Sequence, residues 1–209
     1  MTRIPVVPTL LVGLAVAAMI ALGVWQLERR EQKEAAIRQL AANISRPQIA
    51  FPDPPFGDAM LFRRATATCP RVVGQRSEGG RSADGAFGWR QIVECATGGS
   101  GARLQIQLGV SRGFDAKPGF SGGEVRGYIS HAPDHRSLLA GIFDHSPTPL
   151  MLVADAPPAG LAANPAPDLS AVPNNHLAYA VQWFLFATVA AIIYALALRR
   201  RGPGQARAS

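Results

Sequence analysis

Two unbroken apolar runs stand near the ends of the 209-residue chain, over residues 4–27 and 177–198. Between them the pattern changes to short, partly alternating apolar stretches divided by Gly, Pro, Ser and Asp. The first run carries no charged residue, and the second has Gln182, Thr188 and the rims of its tyrosines as its polar members. At about 1.5 Å rise per residue each covers a hydrocarbon core of roughly 30 Å, so both are predicted to be transmembrane helices. The rival for the first run is a cleaved signal peptide, since Arg3 precedes it. Signal cores run about 7–15 residues. This run extends through Trp25 to Leu27 with no small-x-small site before polar sequence, so a retained span is expected.

Past Leu27 the sequence ERREQKEAAIRQLAA consists of good helix formers, with Arg30–Glu34 and Glu34–Arg38 as i, i+4 pairs, which predicts a juxtamembrane helix over 28–46. Asn43 and then Pro47, Pro52, Pro54 and Pro55 end it and impose an extended segment. Strands are expected at 60–69, 87–96, 102–110, 123–130 and 149–154, with Gly79-Gly80, Gly98-Gly99 and Gly122-Gly123 at or near the turns. Such strands read as antiparallel, and a small barrel or sandwich limits their exposed edges. The expected fold class is a membrane protein of α+β type: two transmembrane helices bracketing a small antiparallel β-barrel or sandwich-like extracytoplasmic domain over 47–156. Residues 157–176, with five prolines, then lead back to the second span as a Pro/Ala linker.

Charge changes the picture only when it is divided by region. The net charge is +7, but residues 28–175 hold sixteen of the 21 Lys/Arg and all 14 Asp/Glu, leaving Arg3, Arg199, Arg200, Arg201 and Arg207 to supply most of the excess. Basicity confined to tails argues against nucleic acid as a partner and for membrane lipid. Arg199 to Arg201 directly follow the second span, whereas the twenty residues before it hold no Lys or Arg, which places residues 199–209 in the cytoplasm. Two spans then put residues 1–3 there as well, with the central domain outside. Arg29, Arg30, Lys33 and Arg38 after the first span oppose this orientation, but Glu28, Glu31 and Glu34 are interleaved with them, and long translocated segments obey charge weakly.

Few familiar chemistries fit. No P-loop, H-E-x-x-H, C-x-x-C or G-x-G-x-x-G pattern is present. Gly119-Phe120-Ser121-Gly122-Gly123 matches G-x-S-x-G by letter, yet Pro118 before it and the strand-like segment after it give a turn rather than the strand-to-helix elbow that exposes a nucleophilic serine, so an esterase using Ser121 is not expected. His131, His135 and His145 with Asp134 and Asp144 offer metal-type ligands, but Pro133 breaks the helical spacing that would converge them, and no metal site is predicted. Cys69 and Cys95, the only cysteines, are either a structural disulfide of an oxidising compartment or two buried thiols.

The ends of the spans hold more. Trp25-Gln26 closes the first and Gln182-Trp183 lies near the start of the second; tryptophan suits the interface, and each glutamine needs a partner in lipid, which suggests a Gln26–Gln182 contact. Gly13, Ala17 and Ala21, and Ala187, Ala191 and Ala195, form four-residue stripes of small residues suited to helix pairing, or ordinary alanine-rich filler. Asn175 can cap the second helix, and His176 falls at the membrane surface with Tyr179, Ala180 and Trp183 on its face. An interfacial imidazole there either ligates a haem iron or serves as a snorkelling polar residue.

These terminal segments resemble the Surfeit locus 1 family of cytochrome c oxidase assembly factors. One signature is Gly23-Val24-Trp25-Gln26-Leu27-Glu28-Arg29 with Lys33 following, and the other is Asn174-Asn175-His176-Leu177 through Tyr179, Gln182, Trp183 and Phe184 to the terminal arginines. In the middle, Phe62-Arg63-Arg64 and Val125-Arg126-Gly127-Tyr128 match weakly, and Leu108-Gly109-Val110-Ser111-Arg112 stands where the family has an Asn-Arg-Gly-Trp-like segment. The resemblance implies a noncatalytic bacterial factor in the cell inner membrane, with a periplasmic central domain. It would act while haem a is transiently held and placed into oxidase subunit I, in concert with the haem a delivery machinery. His176 is the implied haem a contact with Tyr179 and Trp183 beside it, and Trp25, Gln26, Arg29 and Gln182 are the implied helix-pairing or partner contacts. The alternative within the same resemblance is a membrane scaffold that binds oxidase subunits without touching haem.

Overall fold

The computed structural model describes residues 5–96, 103–134, 136, 144 and 146–200. Gly98-Gly99, His135 and His145 lie outside them. The chain divides into two compact units, Met1–Ala36 with Val172–Ser209, and Ile37–Ala171. The boundary falls within a single helix, α1 (Val6–Ser45), whose 40 residues include the predicted span and the predicted juxtamembrane helix without a break. At about 1.5 Å per residue α1 is about 60 Å long, roughly twice a hydrocarbon core. The second helix, α2 (His176–Arg200), has 25 residues and carries Arg199 and Arg200 in its last turn. Both are long and apolar enough to cross a membrane, and most of their large apolar side chains are exposed, as lipid-facing surface would be.

Why α1 stops where it does is visible in the second unit. Asn43, fully buried near its end, donates through Nδ2 to the carbonyls of Ala59 (2.8 Å) and Leu61 (2.9 Å), which ties the last turn to the loop before the first long strand. Pro47 then forbids continuation.

Among the described residues seven strands follow: β1 (Ile49–Ala50), β2 (Arg64–Cys69), β3 (Val72–Arg81), β4 (Phe87–Cys95), β5 (Leu104–Ser111), β6 (Gly123–His131) and β7 (Leu150–Ala154). They form one sheet in the order β1-β2-β6-β7-β5-β4-β3. The sheet is mixed rather than purely antiparallel, because β1 pairs with β2 and β5 with β7 in parallel. Central β7 is buried along all five residues, consistent with cover on both faces. Ala65, Ala67, Cys69, Val93, Cys95, Ile106, Ile129 and Leu152 lie in the main core, and Ile92, Ala132, Met151 and Val153 form a smaller cluster.

The connection between β2 and β3 fixes the sheet's shape. These strands lie five positions apart in the sheet order, about 24 Å if the sheet were flat at about 4.8 Å per strand. Only Pro70 and Arg71 join them, and three peptide steps reach about 11 Å at most. The sheet therefore curls back over its own core, and the bonded pair Cys69–Cys95, with Cα atoms 5.3 Å apart, links β2 to β4 across the curl.

Three sequence expectations change. β3 was not expected, and Gly79-Gly80 lie inside it, opposite Trp89 and Gly88; the turn falls at residues 82–86, with Gly85 at φ +83°. The polar pattern hides this strand because its charges are paired: Arg76 meets Glu78 within β3 (2.8 Å) and Glu94 on β4 (3.1 Å), and Arg90 on β4 meets Glu78 (3.3 Å). β2 begins at Arg64 rather than residue 60, after a turn in which Phe62 has φ +65°. Part of the expected linker is a strap laid on the sheet. Ala162 bridges Val110, Asn164 donates to the carbonyls of Gln107 and Ala154, and the Tyr128 hydroxyl donates to the Pro165 carbonyl at 2.7 Å. Burial first, and then the Asp155 carboxylate, push the Tyr128 phenol up to about 12.

Candidate functional site

Within the first unit, α1 and α2 pair antiparallel along a seam. On α1 the half-buried or buried positions facing α2 include Thr9, Val12, Val16, Met19, Gly23, Gln26 and Arg30; on α2 they include His176, Ala180, Trp183, Ala187, Ala190 and Tyr194. Steps alternate between three and four residues on both helices, the spacing of a left-handed helix pair. Thr9 meets Tyr194 at one end, Gly23 meets Phe184, and Gln26 meets His176 at the other. A Cβ at Gly23 would come within 2.5 Å of the Phe184 ring, so glycine is required there by close approach.

This seam corrects the four-residue stripes. Gly13, Ala17 and Ala21 are exposed, as are Ala191 and Ala195, and only Ala187 lies on the seam. A strict four-residue repeat drifts around a helix of 3.6 residues per turn, whereas alternating steps of three and four stay on one face. The same geometry separates Gln182 from Gln26. Gln182 is exposed, well around α2 from His176, and the partner of Gln26 is His176 itself: Oε1 lies 2.7 Å from the ring Nδ1. Tyr179 is likewise displaced from the seam, with half its surface exposed, while Trp183 is half-buried and edge-on to Phe186.

The contact fixes the histidine's chemistry. A glutamine Oε1 only accepts, so Nδ1 carries the proton and donates. In the neutral ring Nε2 then keeps its lone pair, and it has no hydrogen-bond partner among the described residues. His176 opens onto a recess of about 350 Å³ lined also by Arg29, Gln32, Lys33 and Ala36. Arg29 donates to Gln32 Oε1 (3.0 Å) and lies 5.5 Å from the Trp25 ring centroid. Arg30, by contrast, is neutralised by Glu34 at 2.7 Å, one of the two predicted i, i+4 pairs. Lys33 enters the sequence reading only as the residue that follows the first signature; its spacing of four from Arg29 puts both on one helix face. An imidazole nitrogen with a free lone pair, fixed in orientation through its other nitrogen, is the donor set that haem iron takes.

The other candidates fall elsewhere. Ser121 precedes β6 rather than a helix, so the elbow geometry is missing. His131 Nε2 lies 2.8 Å from Asp58 Oδ1 at the surface, and Asp134 pairs with Arg136 at 2.8 Å. At the end of β5, Ser111 accepts from Gln91 Nε2 (2.8 Å), and Phe114 stands edge-on to Trp89 with centroids 4.9 Å apart.

Comparison with protein families gives a match to the SURF1 family over residues 13–188, a stretch that holds both helix ends and the whole sheet. Comparison with curated proteins gives no match.

Proposed function

Because the chain belongs to the SURF1 family, whose members are known as cytochrome oxidase assembly factors, we propose that it aids the placement of haem a into oxidase subunit I. It works as a helper rather than an enzyme, presenting or shielding haem a at the paired ends of α1 and α2. The carrying observation is the 2.7 Å contact between Gln26 and His176. Gln26 holds the imidazole in the tautomer whose Nε2 accepts a metal, and the tight seam at Gly23 and Ala180 fixes the ring's approach. Haem a, when bound, supplies an iron centre that takes an axial nitrogen. The basic last turn of α2 supports a cytoplasmic location for both termini in the cell inner membrane, with the sheet domain and its Cys69–Cys95 bond in the oxidising periplasm.

The test is spectroscopic. The protein is purified from cells that make haem a, as wild type, His176→Ala and Gln26→Leu. Haem a is expected in the wild type and lost from His176→Ala. Gln26→Leu is expected to weaken binding about tenfold or more, the usual cost of removing the residue that orients a metal-ligating histidine. Unchanged haem a in His176→Ala would remove His176 from the mechanism. Copurification of subunit I with a haem-free wild-type protein would leave the scaffold reading in place instead.

A further inference from the structure

Arg29 and Lys33 are cations to which the haem reading of His176 gives no part, Arg29 donating to Gln32 and lying against the Trp25 ring. They sit one helical turn apart on α1, line the same recess as His176, and among the described residues neither is in an ion pair. No carboxylate lines that recess, and α2 begins there with no acidic residue in its first turn. The neighbouring Arg30, by contrast, is paired with Glu34 four residues on. Two cations with no carboxylate partner among the described residues, beside a helix start that also favours anions, concentrate positive potential in one small volume.

We propose that Arg29 and Lys33 form a carboxylate clamp, so that the recess takes a metalloporphyrin bearing free carboxylates. This rests on the haem reading of His176 and adds a second point of recognition to it. Axial ligation alone selects for a metal and leaves the porphyrin free to turn about the bond. Two charge-assisted hydrogen bonds to the carboxylates add orientation and discriminate against neutral porphyrins.

The full-length protein in nanodiscs, as wild type and as Arg29→Gln/Lys33→Gln, is titrated with haemin and with haemin dimethyl ester, whose carboxylates are capped. Glutamine is a good helix former, so α1 is retained. The wild type is expected to bind haemin about tenfold or more tightly than the ester, since a lost charge-assisted contact costs about that much. The double variant is expected to bind both probes alike, at the affinity of the wild type for the ester, a coupling that only a direct interaction produces. At saturation its Soret spectrum should match that of wild type, because His176 is untouched, and Arg29→Lys/Lys33→Arg should restore the preference for haemin. A wild type that binds both probes equally, or a double variant that keeps the preference, overturns the clamp and leaves ligation by His176 standing. A wild type that binds neither probe overturns both readings.

Discussion

At the residue scale, what a side chain does depends on which neighbour holds its polar atoms. His176 was legible in the sequence because an imidazole at the start of an apolar helix has few neutral explanations and because its Asn-Asn-His context is a family signature. Its partner was not legible. Gln26 and Gln182 look equivalent as glutamines near span ends, and only the seam geometry gives Gln26 to the histidine while leaving Gln182 exposed. The same principle gives a pH prediction in the sheet domain. The Tyr128 phenol is pushed up to about 12 by burial and by Asp155, and its hydroxyl donates to Pro165 on the strap. A folded-state pKa above the unfolded value of 10.0 favours the protonated form on folding. Tyr128 therefore contributes stability that is fully present below pH 10 and lost as pH rises towards 12. Tyrosinate absorbance of wild type minus Tyr128→Phe should show one phenol ionising near pH 12 while the protein is folded. Titration of that phenol near 10 would contradict the account.

At the element scale, the two helices were readable from apolar length and their pairing face was not. Small residues at four-residue spacing are as easily alanine-rich lipid-facing surface as an interface, and here Gly13, Ala17 and Ala21 are the former. The stripe that packs the helices together is the one that alternates steps of three and four through Gly23 and Gln26. This separates two otherwise similar substitutions. A side chain at Gly13 meets nothing within 4 Å, whereas one at Gly23 strikes the Phe184 ring. Gly13→Leu should leave the thermal stability of the purified protein close to wild type, while Gly23→Leu should lower it by about 1–3 kcal/mol through overpacking. Equal effects would mean that the seam is misassigned. Among the strands, β4 to β7 announced themselves by apolar patterning, but β3 is rich in charges, and two of its ion pairs, Arg76–Glu94 and Glu78–Arg90, reach across to β4, which a one-dimensional reading does not display.

At the scale of the whole molecule, the curl of the sheet follows from one short connection, Pro70-Arg71, joining strands five places apart in the order. No sequence window reports it, because strand order is a property of long-range pairing. The strap over residues 162–165 escaped for a similar reason: a Pro/Ala stretch reads as a linker, yet Asn164 is buried and hydrogen-bonded to Gln107 and Ala154. The division of labour that results is plain. In the sheet domain Arg76, Gln91 and Asn164 find hydrogen-bond partners within the domain. The helix pair gathers at one end the His176 imidazole and, among the described residues, two cations without a carboxylate partner, Arg29 and Lys33. An assembly factor built this way should act on the oxidase through that end. The most direct measurement is the reduced haem a absorbance and oxidase activity of membranes from a strain lacking this protein, complemented with wild type or with His176→Ala. The account predicts a loss of both signals in the deletion, recovery with wild type, and little recovery with a His176→Ala protein that is present at normal levels. A deletion strain with undiminished haem a absorbance and oxidase activity would contradict it.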